Sequence, residues 1–123
     1  MTLPFWCVFV VGILPYSATM IAKWNKKDYD NANPREWIAK QEGVRARANA
    51  AQLNSFEAFP LFAAAVVIAH LRQAALEIVS ALCIAFVTAR IVYMALYIAD
   101  VPSLRSIVWL VGLGCSIALF FVA

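Results

Sequence analysis

Arg45-Ala-Arg-Ala-Asn-Ala-Ala-Gln-Leu-Asn-Ser-Phe-Glu-Ala-Phe-Pro60 runs without a break into Leu61-Phe-Ala-Ala-Ala-Val-Val-Ile-Ala69. Two arginines, two asparagines, a glutamine and a glutamate therefore stand on or beside a segment suited to lipid. Ionisable groups at such depth are costly and mark functional positions. At about 100° per residue, Arg47, Asn54 and Glu57 fall within about 80° of one another, while Arg45, Asn49 and Gln52 cluster on nearly the opposite side. A helix with polar groups in two directions cannot face lipid along its polar half, so that half must be surrounded by protein or water. A homo-oligomer with this helix near the symmetry axis supplies such surroundings.

Outward from this stretch the chain is almost wholly apolar. Its 123 residues are 64% hydrophobic and 14% charged, outside the range of soluble domains, and their number suits one domain. Residues 3–22 and 107–123 carry no charge, and two further apolar runs, 55–71 and 78–99, are each interrupted once, by Glu57 and by Arg90. Each is near the length of roughly 20 residues that crosses a bilayer as helix. The reading is an all-α integral membrane protein, a single domain over 1–123 with helices at about 3–24, 43–71, 76–99 and 103–123 and a loop at 25–42. A cleaved leader is the competing reading of the N-terminus, but no Lys or Arg precedes the apolar run, which is also long for such a leader.

Net charge is +3, and seven of the ten basic residues lie between Lys23 and Arg47. The positive-inside rule makes that loop cytoplasmic and puts both termini on the other side. Asp28, Asp30, Glu36 and Glu42 dilute the basic loop, so it reads as a topology signal and not as a nucleic-acid surface. Cys7, Cys83 and Cys115 all fall inside spans and suggest neither a disulfide framework nor a metal site. His70, the only histidine, stands at a helix end on the far side from the other polar groups and reads as interfacial.

Two more constellations join the first. Arg90, Tyr93 and Tyr97 lie within about 60° on the third helix; Arg105, Trp109, Gly112 and Ser116 form a stripe on the fourth. An arginine in mid-span needs compensation, since an unpaired one costs at least about 2.5–3.5 kcal/mol. Arg90 lies about 15 Å from Asp100, and Glu57 about 15 Å from Arg47 at the same membrane face, which predicts a Glu57–Arg90 ion pair. Several arginines with Asn, Gln, Tyr and Ser at one end of a bundle suit a small ligand carrying carboxylates, which arginine forks bind bidentately. Hydroxyls of Ser106 or Tyr97 would favour the thiolate of a reacting thiol. The alternative is that these groups satisfy one another and hold an oligomer together.

Arg47, Asn54-Ser-Phe-Glu57 followed by Pro60, then Arg90, Tyr93 and Tyr97, then Leu104-Arg105-Ser106 form a combination that resembles the MAPEG family, the membrane-associated proteins in eicosanoid and glutathione metabolism, across all four helices. The resemblance, to bacterial-type members, implies an inner-membrane homotrimer of four-helix subunits with glutathione held as co-substrate between neighbours. It implies a transferase or peroxidase acting on lipophilic electrophiles or hydroperoxides. Carried over to this chain, Arg47, Asn54, Glu57, Tyr93, Tyr97 and Trp109 would bind ligand, and Arg105 or Ser106 would stabilise the thiolate. Arg90 would serve a structural pairing. Catalytic members resemble one another in having arginines one and four residues before the second-helix asparagine, positions that here are Leu53 and Ala50. Gln52 stands where many have histidine, and Trp109 where a tyrosine is frequent. The second reading is thus a non-catalytic member that binds lipid or acts as a scaffold. A third class, a small multidrug exporter, would need a carboxylate in the first span, and residues 3–22 hold none.

Overall fold

A computed structural model describes residues 1–123 as helices and connections, with no strand. In chain order the helices are α1 (Leu3–Lys23), α2 (Pro34–Ala39), α3 (Val44–Leu71), α4 (Leu76–Ile98) and α5 (Pro102–Val122). Four of them, α1, α3, α4 and α5, are long and apolar enough to span a bilayer. All-helical spans are what lipid demands, because a helix satisfies its own backbone polar groups where no water is present.

The four long helices pack as two close pairs, α1 with α3 and α4 with α5, and α3 bridges them. Short links at residues 72–75 and 99–101 make neighbours antiparallel, while residues 24–43 join α1 to α3 and contain α2. The bundle thus has a terminal end, carrying both chain ends and the 72–75 turn, and a loop end carrying 24–43 and 99–101. Core packing is densest toward the terminal end, where Val11, Phe62, Val66, Phe86 and Leu119 are fully buried. Phe62 and Phe86 stack at 4.0 Å between ring centroids and pin α3 to α4. Outward-facing Phe9, Ile13, Ile84, Ile91 and Phe121 are exposed, as a lipid-contacting surface requires.

Pro15 and Pro60 sit inside α1 and α3, and each removes one backbone donor from its helix. Proline is tolerated in membrane helices because packing and hydroxyl side chains re-satisfy freed groups. At the start of α3, Gly43 has φ 64 and ψ −136, a conformation closed to residues with a Cβ. The connection before it is ordered by side chains. Trp37 of α2 is buried and meets Tyr29 edge-on at 4.9 Å, and Lys23 lies over the same tyrosine ring at 5.0 Å. Asp30 accepts hydrogen bonds from the Asn33 side chain and the Ala32 backbone, which hold its carboxyl below the usual range.

Both arginines of the 45–60 stretch cap other helices. Arg45 donates from Nη1 to the Ala22 carbonyl at 2.9 Å and from Nη2 to the Trp24 carbonyl at 2.7 Å, closing the end of α1. Arg47 donates from Nε to the Ile98 carbonyl at 3.0 Å, closing the end of α4. A cation at a helix C-terminus satisfies orphan carbonyls and meets the negative end of the helix dipole. The two polar faces of α3 therefore reach in different directions, one toward α1 and one toward α4.

Candidate functional site

The loop-end half of the space between α3, α4 and α5 gathers most of the polar side chains singled out by sequence. Arg90 of α4 is only 2% exposed, so its charge needs compensation from within the fold. Its Nη2 donates to Asn54 Oδ1 at 2.9 Å and to Ser55 Oγ at 3.2 Å, both on α3. The guanidinium also lies 4.3 Å from the centre of the Tyr93 ring, one turn further along α4. Tyr93 meets Tyr97 edge-on at 5.8 Å, and the Tyr97 ring carries the guanidinium of Arg105 at 4.2 Å. Two arginines from two helices are thus held on a pair of tyrosines, each cation against a π-face.

The expected Glu57–Arg90 ion pair is not formed: no Glu57 oxygen comes within 4.0 Å of a cation, and Glu57 is exposed. The physical reason is that Arg90 already has neutral compensation in an amide oxygen, a hydroxyl and a ring. Burying a carboxylate beside it as well would strip a second ion of water, at a cost of several kcal/mol per ion. Sequence reading missed Ser55, the second acceptor. Its signal was available in its place next to Asn54, where a small hydroxyl in a span needs a partner.

Two cavities open on this constellation. One, of about 160 Å³, lies between α3, α4 and α5, with Asn54, Glu57 and Arg90 at its polar end and Leu61, Phe86 and Leu113 along its apolar part. The other, of about 210 Å³, lies at the loop end and is lined by Asn54, Tyr93, Arg105, Ser106 and Trp109. Asn54 and Trp109 belong to both, so the two cavities adjoin. Arg105 is half-buried, and its side chain has no hydrogen-bond or ion-pair partner in the chain. Ser106, by contrast, donates its hydroxyl to the Pro102 carbonyl at 3.1 Å, which leaves its oxygen able to accept. Arg47 lines neither cavity; its Nε is engaged on α4, and its two terminal nitrogens have no partner in the chain.

The other polar face of α3 opens elsewhere. Asn49 and Gln52 line a cavity of about 550 Å³ together with Lys23 of α1 and Arg35 of α2. Leu53 lies along the same cavity and is 53% exposed. Among the sequence-selected residues, the fold therefore brings together Asn54, Glu57, Arg90, Tyr93, Tyr97, Arg105, Ser106 and Trp109 on the α4–α5 side. It sets Arg45, Asn49 and Gln52 apart on the α1 side.

Chemically, the first group offers an unpaired arginine fork for a carboxylate or a thiolate, an exposed carboxylate for an ammonium, and an apolar cavity beside both. No cluster of histidine, cysteine or acidic residues could hold a metal ion. Comparison with curated proteins and with solved structures gave no match. The sequence does match the MAPEG family over residues 3–123, essentially its whole length, with helices and site residues all inside the matched range. An integral membrane protein of four spans, the chain belongs to the MAPEG family, whose members are associated with glutathione-related transferase and peroxidase chemistry.

Proposed function

We propose that this protein is a glutathione-dependent membrane transferase or peroxidase acting on lipophilic electrophiles or hydroperoxides. The observation that carries the reading is Arg105: a guanidinium seated on the Tyr97 ring with every side-chain donor free, at the mouth of a cavity shared with Asn54 and Trp109. A preorganised, unpaired cation beside an apolar space lowers the pKa of a bound thiol and stabilises the thiolate, the nucleophilic form. Ser106 adds a hydrogen bond to sulfur once its hydroxyl turns from the Pro102 carbonyl. The free terminal nitrogens of Arg47 hold a glutathione carboxylate, and Glu57 meets the α-ammonium. In transfer, the thiolate sulfur bonds to the electrophilic carbon and the leaving group departs with the bonding pair. With a hydroperoxide, sulfur takes the terminal oxygen and releases the alcohol. A second glutathione then closes the disulfide and releases water.

A homotrimer completes the site in this reading, with the basic loop at 24–43 facing the cytoplasm of a bacterial inner-membrane protein and both termini outside. Support comes from the concentration of cations in that loop and from the polar α1-side face of α3 with its open cavity. Glutathione titrated into the detergent-purified protein should bind, and a lipophilic electrophile should then be consumed. Arg105→Ala should lower turnover by a factor of about 10² or more, the scale of losing one charge-stabilising donor. Absence of glutathione binding and of thiol-dependent turnover in the intact protein would sink the proposal.

A second reading, a lipid-binding member without catalysis, is favoured by Ala50 and Leu53. Two arginine positions are apolar, and Leu53 is exposed beside a cavity whose cations are Lys23 and Arg35. It predicts co-purified lipid and no thiol chemistry.

A further inference from the structure

The terminal end of the bundle holds a cavity that the thiol chemistry does not use. Its volume is about 310 Å³, and it lies where the start of α1, the end of α3 and the start of α4 meet. Three exposed polar side chains line it, Thr2, His70 and Gln73, and every other lining residue is apolar. The Thr2 hydroxyl, the His70 imidazole and the Gln73 amide have no hydrogen-bond partner in the chain. The His70 ring stands edge-on to Phe5 of α1 at 4.9 Å between centroids, which holds it at the joint of α1 and α3. Gln73 is placed by the turn that ends α3. Its N–H donates to the His70 carbonyl at 3.0 Å and the Ala74 N–H to the Ala69 carbonyl at 3.0 Å, the paired bonds that close a helix on a left-handed residue. Gln73 has φ 56, at a position that glycine ordinarily fills because a Cβ strains it. The chain thus spends a glycine position on an amide at the cavity.

Hydroxyl, amide and imidazole each offer a donor whatever their protonation state. No Asp, Glu, Lys or Arg lines the cavity, so the donors suit a neutral oxygen acceptor better than a carboxylate or phosphate, which takes an arginine fork or a lysine. A cavity of about 150 Å³ holds one benzene ring, so this one takes a ring compound of about twice that bulk. We propose that the terminal-end cavity binds a lipid-soluble quinone, a ring carbonyl accepting from His70 and Gln73 and the ring lying against Phe5 and Val79. Leu76, on its lining, is 55% exposed, so a tail on the ring leaves past it into lipid. The site is separate from the one read as the glutathione site: His70 stands about 24 Å from Asn54 along α3, at about 1.5 Å per residue. It is a binding site, and no electron transfer is assigned to it.

Duroquinone is the probe, because its ring carbons are fully substituted and do not add thiols; durene, the same methylated ring without oxygens, is the control. Equilibrium gel filtration of the purified full-length protein in detergent, with empty micelles subtracted, should show duroquinone saturating at one per chain. Durene at the same mole fraction in the micelle should bind about tenfold more weakly or worse, the scale of losing its hydrogen bonds. His70→Leu and Gln73→Gly should each weaken duroquinone binding about five- to tenfold and leave durene unchanged. Both positions are exposed, so neither change disturbs the core. Gln73→Gly should also unfold at a higher temperature than the parent, since glycine relieves the left-handed position, and its loss of affinity is then no loss of fold. Diacyl phosphatidylcholine at the same mole fraction should leave the quinone bound; complete displacement would give the donors to a lipid ester carbonyl and overturn the quinone reading. Uptake that does not saturate, equal affinities for duroquinone and durene, or undiminished binding in both variants would each overturn it as well. Glutathione is absent throughout, so its failure to bind would leave these results standing.

Discussion

Arg90 shows how a charge is kept inside a membrane bundle without a counter-charge. Its partners are Asn54 Oδ1, Ser55 Oγ and the face of Tyr93, all neutral. Glu57, which shares the cavity, remains exposed and free. Had the two formed a buried pair, removing the carboxylate would cost about 3–5 kcal/mol. The geometry instead predicts that Glu57→Gln changes unfolding free energy by less than about 1 kcal/mol, within the ordinary range for an exposed position. Asn54→Leu should cost about 1–3 kcal/mol by orphaning a guanidinium donor. Chemical unfolding in detergent micelles, followed by circular dichroism, reads both; a large loss in Glu57→Gln would restore the ion pair.

At the level of the element, α3 is a helix whose polar side chains serve its neighbours. Arg45 closes α1 and Arg47 closes α4, so the start of one helix holds the ends of two others. Hydrogen bonds involving a charged group contribute about 1.5–3 kcal/mol, and their position adds the dipole term. Both side chains are only half-buried, so solvent screening lowers each bond to about 1–1.5 kcal/mol; Arg45→Ala loses two and Arg47→Ala one, so Arg45→Ala should be the more destabilising, by about 2–3 against about 1–1.5 kcal/mol. Amide hydrogen exchange should quicken at the last turn of α1 in the first variant and of α4 in the second. The faces of α3 were legible from periodicity alone: Asn54 and Glu57 do share the α4–α5 side, and Asn49 and Gln52 the other. What the caps bind was not legible, because backbone carbonyls carry no signature in a sequence.

Across the whole molecule, the links at 24–43 and 99–101 share one end, and the 72–75 turn and both termini share the other. If the basic loop is cytoplasmic, as we propose, single cysteines introduced into a cysteine-free variant should report it in intact cells. Lys27→Cys should resist a membrane-impermeant maleimide and Arg72→Cys should react; the reverse pattern would invert the orientation. Composition by itself determined that the chain is an all-helical membrane protein, because 64% hydrophobic residues in four span-length runs leave no other way to satisfy the backbone in lipid. The motif residues likewise determined the family, now matched over residues 3–123. Only the tertiary structure decided which polar groups neutralise one another. It paired Arg90 with Asn54 and Ser55, set Arg105 on Tyr97 with its donors free, and left Ser116 alone beside a cavity. Such choices depend on distances of a few ångströms between helices, and helical periodicity fixes the direction of a side chain without fixing what stands across from it.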